Sequence, residues 1–253
     1  MKTLGVLQAR MASTRLPGKV LEPILGVPMI GRQLERLSRS RSLDGLAVAT
    51  SIDPSDDRLV DYLTTLDIPV VRGSLDDVLG RFVTTMDVFK PEIVVRLTAD
   101  CPLASPAVLD RVVGEFHARG LDYVSNTMQP TYPDGLDVEV VSAEALRWVA
   151  QNTTDRHERE HVTLGVYRRP ERFSIGNVAG EEDLSDLRWT VDDAADLAFV
   201  REVYARLYPE KPDFEWQDVL ALVRADPRLS RTSQDAVRNA SLNGLDTGVM
   251  RHG

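Results

Sequence analysis

The sequence has almost no cysteine and no long apolar run, and both shortages narrow the kind of protein it can form. A single cysteine, Cys101, among 253 residues excludes an internal disulfide framework and favours a reducing compartment. No stretch approaches the ~18 consecutive apolar residues of a membrane-spanning helix. Residues 1–6 are also too few for the apolar region of a secretory signal. We therefore predict a protein of the cytoplasm.

Positive charge and aromatic residues are also scarce, which limits the partners. The net charge is −9, with 30 Lys and Arg against 39 Asp and Glu, so the surface as a whole repels nucleic acids and anionic lipids. Aromatic residues make up only 6% of the chain, and they are not interleaved with a basic patch of the kind that binds single-stranded nucleic acid. We expect a small-molecule ligand, with neither nucleic acid nor a membrane as partner.

Short apolar runs alternate with amphipathic helical periods along the first half of the chain. The runs are brief, partly β-branched and bounded by Gly, Asp or Pro, as buried strands are. Between them, apolar residues recur at spacings of three and four, which places each set on one helix face. Four repeats of strand then helix favour an α/β fold with a mostly parallel sheet covered on both sides. The predicted strands cover residues 4–7, 46–49, 69–71 and 93–97, and the helices start near Ile30, Leu59, Val78 and Val108.

The pattern changes after Gly120, where a Pro- and Gly-rich loop interrupts shorter elements. Hydrophobic content of 43% is enough for the core of one domain, which we place at residues 1–228. From about Leu229 the chain is rich in Ser, Asn, Arg and Gly, so we expect residues 229–253 to form a loosely ordered tail. The remaining predicted elements are strands at 122–125, 138–141 and 187–191 and helices at 143–149, 194–207 and 216–223.

A block of positive charge follows the first predicted strand. The first 21 residues contain Lys2, Arg10, Arg15 and Lys19 but no acidic residue. Ligands of open parallel sheets bind beyond the carboxyl ends of strands, and the strand that ends at Gln8 opens onto this block. Such a block can bind a polyphosphate, because arginine donates two parallel hydrogen bonds to phosphate oxygens, lysine supplies a mobile positive charge, and the loop N–H groups donate as well. The alternative is a solvated basic loop.

Residues 8–21 do not match two common phosphate motifs but do carry a family signature. A Walker loop would need glycine where Ser13 stands, and no G-x-G-x-x-G follows the first strand. The stretch resembles the A-R-x-G-S-x-R-L-P-G-K signature of the CMP-sugar-acid synthetases, a cytidylyltransferase family, with Ala12 replacing the family glycine. The likeness is greatest to the branch that contains spore coat polysaccharide biosynthesis protein F.

This resemblance implies a Rossmann-like three-layer α/β/α nucleotidyltransferase fold, a homodimer, CTP as substrate and Mg²⁺ as cofactor. It implies that Arg10, Arg15 and Lys19 take part in catalysis at the CTP triphosphate. A loop after the third strand would approach cytidine through Arg72 and Arg81. The full nucleotide-binding set that we expect is Gln8, Ala9, Arg10, Ser13, Arg15, Lys19, Arg72, Arg81 and Thr98.

Two aspartates at strand ends are the candidate metal ligands and further catalytic residues. Asp100 lies in a segment similar to the family's Q-G-D-x-P-L, and Asp192 lies in one similar to its I-D-x-x-x-D-L. Mg²⁺ requires hard oxygen ligands and usually takes one or two carboxylates, with phosphate and water completing the octahedron. The alternative role for an Asp after a strand is to cap the next helix, as Asp193 is placed to do. We expect Cys101 to be a buried structural cysteine.

Polar residues after Ser125 resemble the acceptor loop of the spore-coat branch. A Pro-Asp-Gly turn at residues 133–135 explains the local sequence without any ligand, but the polar set beside it could hydrogen-bond acceptor hydroxyls. We expect the acceptor to be a sugar acid. The predicted acceptor-binding residues are Asn126, Tyr132, Asp137, Glu139 and His161.

The favoured hypothesis is attack of an acceptor hydroxyl on the α-phosphorus of CTP with release of pyrophosphate, and three alternatives stay open. A sugar-nucleotide glycosyltransferase of related architecture would usually show Asp-x-Asp at a strand end, which the sequence lacks. A non-catalytic nucleotide-binding module would bind CTP without turnover. Residues 157–161 match H-E-x-x-H, the zinc-protease pattern, but their polar surroundings do not suit a closed zinc site.

Overall fold

The computed structural model describes residues 2–232, which contain a seven-stranded, mostly parallel sheet. The predicted α/β architecture is confirmed, since four parallel strands from the first half of the chain form one side of the sheet. The strands are β1 (Thr3–Gln8), β2 (Pro23–Ile24), β3 (Val27–Pro28), β4 (Gly45–Ser51), β5 (Val70–Gly73), β6 (Ile93–Thr98), β7 (Tyr123–Ser125), β8 (Glu139–Ser142) and β9 (Ile175–Asn177). Their order is β5-β4-β1-β6-β8-β7-β9, while β2 and β3 form a separate hairpin.

Helices cover both faces of the sheet, so the described part of the chain has three layers. Side chains alternate along β1: Leu7 packs with the core on one face, whereas Leu4 and Val6 pack with the core on the other. Among the helices of residues 2–232, none combines the length and the apolar character needed to cross a bilayer. The helices are α1 (Met29–Leu37), α2 (Asp57–Thr65), α3 (Val78–Phe89), α4 (Pro106–Arg119), α5 (Ala143–Asn152), α6 (Arg156–Glu160), α7 (Leu164–Tyr167), α8 (Ala194–Leu207) and α9 (Trp216–Ala225).

One strand of the seven, β8, runs opposite to the others. β8 runs antiparallel to β6 on one side and to β7 on the other. β1 and β6 are parallel neighbours, so their carboxyl ends lie side by side at one edge of the sheet, with Gln8 opposite Thr98. The predicted cation loop and the predicted metal-binding segment leave the sheet from these two neighbouring ends.

The predicted strand at residues 187–191 is wrong. The segment makes only isolated bridges within the described residues, from Leu187 to Thr232 and from Arg188 to Asp134. It approaches the loop before β8 closely, because a Cβ on Gly135 would lie 2.7 Å from backbone atoms of this segment. The side-chain ion pairs of Arg188 and single backbone hydrogen bonds to distant residues hold the segment in place, and a strand ladder does not.

One strand was not predicted from the sequence, and the predicted division of the chain is not tested by the structure. The sequence did not predict β9, whose three residues are too few to show a period. The division of the chain at residue 228 stays a prediction, and most of the predicted tail, residues 233–253, lies outside the described residues. The described start of that tail is held in place, because the Arg188 N–H donates to the Arg231 carbonyl at 2.8 Å.

Candidate active site

The loop after β1 is closed on itself before it reaches Lys19. Gly18 has φ 74°, in the left-handed region where glycine avoids the Cβ penalty, and its N–H donates to the Met11 carbonyl at 2.9 Å. The Met11 N–H in turn donates to the Asp56 carboxylate at 2.7 Å. The loop therefore returns toward the sheet, and Lys19 enters the site from its far end.

Lys19 contacts both predicted metal ligands. Its ammonium nitrogen lies 3.0 Å from Asp192 Oδ1 and 3.5 Å from Asp100 Oδ2, and it also donates to the Val191 carbonyl at 2.7 Å. Arg15 Nη2 lies 3.0 Å from the other oxygen of Asp192. The structure thus brings the cationic loop and the two aspartates together at one point.

Backbone contacts explain why residues so distant in sequence meet. The Val191 N–H donates to the Asp100 carbonyl at 2.8 Å, and the Thr190 hydroxyl donates to the same oxygen at 3.1 Å. After Asp192 the chain enters α8, which Asp193 caps by accepting from the N–H groups of Ala195 and Asp196. Asp193 therefore has the capping role, which leaves the Asp192 carboxylate directed at Lys19.

Arg188 is a site residue that the sequence did not predict. It is 2% exposed and its guanidinium lies 2.7 Å from Asp192, 3.1 Å from Asp196 and 3.1 Å from Asp134. Burial acts to lower the pKa of Arg188, but these carboxylates outweigh it and hold that pKa above its ordinary value. The Arg231 guanidinium closes the network from the other side, 3.0 Å from Asp196.

The cations keep Asp192 ionised. Burial acts to raise the pKa of its carboxyl, but Lys19, Arg188 and Arg15 outweigh burial and hold the pKa below its ordinary value. Side-chain exposure is 30% for Asp100 and 23% for Asp192, so both remain accessible to solvent and solutes. Two carboxylates that converge from separate loops fit a hard divalent cation that completes its shell with phosphate and water.

The cytidylyltransferase family model matches residues 4–204, which is most of the chain. The chain belongs to the cytidylyltransferase family. The chain is similar to spore coat polysaccharide biosynthesis protein SpsF of Bacillus subtilis, 32% identical over 88% of this chain and 95% of that protein. The 8-amino-3,8-dideoxy-manno-octulosonate cytidylyltransferase of Shewanella frigidimarina is 33% identical over 74% of this chain and 85% of that one.

A solved cytidylyltransferase from Leptospira borgpetersenii superposes with a TM-score of 0.86 at 29% identity, covering 90% of this chain and 96% of that one. The resemblance predicted from residues 8–21 is thereby confirmed, and so is the nucleotidyltransferase fold. As a cytidylyltransferase, the chain is a CTP-dependent nucleotidyltransferase.

The other loop residues of this cytidylyltransferase contribute unequally to the site. Arg10 is exposed and forms no salt bridge with residues 2–232, so its guanidinium remains accessible to an anion. Ser13 Oγ accepts a weak hydrogen bond from the Leu16 N–H at 3.4 Å. Ala9 is buried and its N–H donates to the Ala49 carbonyl at 3.1 Å, which fixes the backbone where the loop begins.

Two predicted nucleotide residues at the ends of β1 and β6 already have protein partners. The Gln8 side-chain oxygen accepts from Arg96 Nε at 3.0 Å. The Thr98 carbonyl accepts from the Gln33 side chain at 2.8 Å, and its hydroxyl lies 3.5 Å from the Cys101 sulfur. Both residues keep the strand ends in register beside the loop.

The two arginines predicted near cytidine differ in their surroundings. Arg72 donates to the Ser51 and Asp53 carbonyls and pairs with Asp57 at 2.8 Å, so its guanidinium supports the end of β4. Arg81 is 3% exposed, and its Nε and Nη1 have no hydrogen-bond partner among the described residues. Burial lowers the pKa of Arg81, and repulsion from Arg10 adds to this effect.

Two of the predicted acceptor residues hold the protein's own loop. Asn126 is fully buried, where its amide nitrogen donates to the Leu136 carbonyl and its oxygen accepts from the Val138 N–H, each at 2.8 Å. The buried Tyr132 hydroxyl accepts from Arg111 at 2.7 Å. These side chains shape the loop from inside, and the structure does not direct them toward the site.

We predict that Asn126→Ala lowers the free energy of unfolding by about 2–4 kcal/mol, because two buried backbone groups lose their partners. Asn152, whose side chain donates to the Trp148 carbonyl at an exposed helix end, supplies the control. Urea denaturation should show a change within about 0.5 kcal/mol for Asn152→Ala. Equal effects of the two substitutions would contradict the structural role of Asn126.

Two of the remaining acceptor residues, Glu139 and His161, form a polar cluster around Arg96. Glu139 pairs with Arg96 and accepts from the Tyr123 hydroxyl at 2.6 Å. Burial lowers the pKa of His161, and the Arg96 charge lowers it further. Asp137 lies apart from this cluster, near Cys101.

Cys101 is the buried thiol that the sequence predicted. Burial raises its pKa well above the ordinary value, and the neighbouring charges of Asp100 and Asp137 raise it further. A thiol in such surroundings stays protonated, so it does not serve as a nucleophile.

Proposed function

We propose that the protein transfers CMP from CTP to a hydroxyl of a sugar acid and releases pyrophosphate. The observation that carries the proposal is the contact of Lys19 with both Asp100 and Asp192, since it joins the cation loop to one carboxylate that follows β6 and one that precedes α8. Cytidylyltransferase chemistry requires both triphosphate-binding cations and metal-binding carboxylates.

The proposed roles follow from charge. Asp100 and Asp192 would hold a divalent ion, Mg²⁺ or Mn²⁺, which neutralises phosphate charge when bound. Arg10, Arg15 and Lys19 would bind the triphosphate and stabilise the negative charge that develops on the departing pyrophosphate. Phosphoryl-type transfer needs little covalent help from protein, so alignment and charge neutralisation supply most of the acceleration.

Arg81 supports a role in reading the base. Its unpartnered Nε and Nη1 are donors, and a pyrimidine presents acceptor oxygens and, in cytosine, an acceptor ring nitrogen. A buried donor without a partner is costly, so a ligand atom that accepts from it contributes favourably to binding. Arg10 would bind phosphate on the side of the site nearest Arg81.

Glu139 and His161 are the proposed acceptor contacts, because both lie in the polar cluster around Arg96 and neither belongs to the nucleotide loop. The choice of a sugar acid rests on the relative from Shewanella frigidimarina, whose name states an octulosonate acceptor. Homodimer formation and a cytoplasmic location remain predictions. The glycosyltransferase alternative differs in its product, since it would not release pyrophosphate.

A pyrophosphate-release screen tests the proposal. Purified protein is supplied with Mg²⁺, each of the four nucleoside triphosphates in turn, and a panel of sugar acids, neutral sugars and phosphonates. We expect release with CTP and an acidic sugar, and little with UTP, because uracil carries a ring N–H where cytosine carries an acceptor. CTP binding without release across a broad acceptor panel would favour the non-catalytic module.

A further inference from the structure

Helix α6 and the residue after it carry three metal-ligating side chains outside the nucleotide site. The ligand atoms of His157, Glu160 and His161 all lie within 4.8 Å of one another. Positions i, i+3 and i+4 face the same side of one helical turn, so the backbone itself brings the three side chains together. The motif at residues 157–161 therefore brings three possible metal ligands together, but they are not the ligand and general-base set of a zinc protease.

The remaining glutamate of the motif points the other way. Glu158 is 4% exposed and accepts from Arg169 at 3.0 Å on the inner side of the helix. It is thus unavailable as the general base that a zinc protease would need between its two histidines. The motif divides into a buried carboxylate, Glu158, that anchors the helix and a separate group of two imidazoles and one carboxylate that is exposed at His157 and half-buried at Glu160 and His161.

The backbone of this turn is fixed without any ligand. The Asp155 side chain caps the helix by accepting from the His157 N–H at 2.7 Å and the Glu158 N–H at 3.2 Å. The His161 N–H donates to the His157 carbonyl at 2.8 Å, which extends the helical turn to the last ligand. A metal ion would therefore meet a preformed arrangement and would not have to order the segment.

The three side chains are also chemically available. None of them forms a hydrogen bond or salt bridge with another residue between 2 and 232. Each of the three offers one ligand atom to a shared ion, an imidazole nitrogen from either histidine and a carboxylate oxygen from Glu160.

We propose that His157, Glu160 and His161 bind a divalent cation of the zinc class, at a site separate from Asp100 and Asp192. Imidazole ligands favour Zn²⁺, Co²⁺ or Ni²⁺, whereas Mg²⁺ prefers an all-oxygen shell. Three protein ligands leave at least one position of a tetrahedral ion open to water or another solute. Because His161 is also a proposed acceptor contact, an occupied site would compete with acceptor binding.

Zinc titration of the full chain, free of nucleotide and in competition with a chromophoric chelator, tests the site directly. We expect one saturable equivalent that excess Mg²⁺ does not displace. His157→Gln, Glu160→Gln and His161→Gln should each weaken the affinity at least about tenfold, since even loss of an outer-shell partner commonly costs ~10–100-fold. The matched control is His117→Gln, because His117 is an exposed histidine on α4.

A second control, His252→Gln, covers the histidine that lies outside the described residues. Zinc should also raise the melting temperature of the wild type and of both controls, and the same zinc concentration should raise that of the His157 and His161 variants by less. Unchanged zinc affinity in a His157→Gln, His161→Gln double variant, or the absence of a saturable equivalent in the wild type, would overturn the site. Neither readout uses turnover, so the result is independent of the proposed CMP transfer.

Discussion

Lys19→Ala is expected to lower the rate of pyrophosphate release by about 100- to 1,000-fold, the range seen when one donor to a developing oxyanion is removed. Lys19 is the cation that contacts both Asp100 and Asp192, and no other side chain of residues 2–232 forms a salt bridge with Asp100. The fold should survive the change, because Asp192 keeps its ion pairs with Arg15 and Arg188. Single-turnover measurements with CTP and an active acceptor would separate the chemical step from binding.

Lys2→Ala is the matched control for this variant. Lys2 belongs to the same acid-free N-terminal block, but it is exposed and lies at the opposite end of β1 from the site. The control should retain the wild-type rate, and both variants should show the wild-type circular dichroism spectrum. A Lys19→Ala enzyme that releases pyrophosphate at the wild-type rate would remove the proposed mechanism.

The sequence predicted those parts of the site that depend on local order along the chain. The alternation of strands and helices predicted which loops lie at the carboxyl edge of the sheet. The absence of acidic residues from the first 21 positions distinguished the basic block that contains Lys19. Asp100 could be found because it follows a buried strand directly. Asp192 came only from the family motif, since the segment before it forms no sheet strand and is held by distant backbone contacts.

The residues whose surroundings the sequence did not predict depend on tertiary burial. Arg188 was not predicted because an arginine is most often a solvated surface residue. Its spacing of four and eight residues from Asp192 and Asp196 was the available signal. Asn126 and Tyr132 were assigned to the acceptor because they are polar residues near a loop. Only the fold shows that their polar atoms point into the protein's own backbone and side chains.

Arg188→Met should be the most destabilising single change in the site. It would leave the fully buried Asp196 and the partly buried Asp192 and Asp134 without their shared guanidinium, and breaking a buried ion network by removing one partner costs about 3–5 kcal/mol. Arg224 offers the control, because within residues 2–232 its one salt bridge is with Glu182 at the exposed surface. Arg224→Met should change the unfolding free energy by about 0–1 kcal/mol.

The Arg188→Lys variant tests whether Arg188 only stabilises the fold or also orients the Asp192 carboxylate. Lysine keeps the charge but cannot donate in a fork to Asp196 and Asp192 together, so the variant should fold while Asp192 loses its fixed orientation. We expect a higher Mg²⁺ concentration for half-maximal activity with a smaller change in the KM for CTP, because the metal ligand is affected more than the cations of the nucleotide loop. A purely structural arginine would lower the melting temperature of this variant without moving its Mg²⁺ dependence, and that outcome would contradict the assigned role.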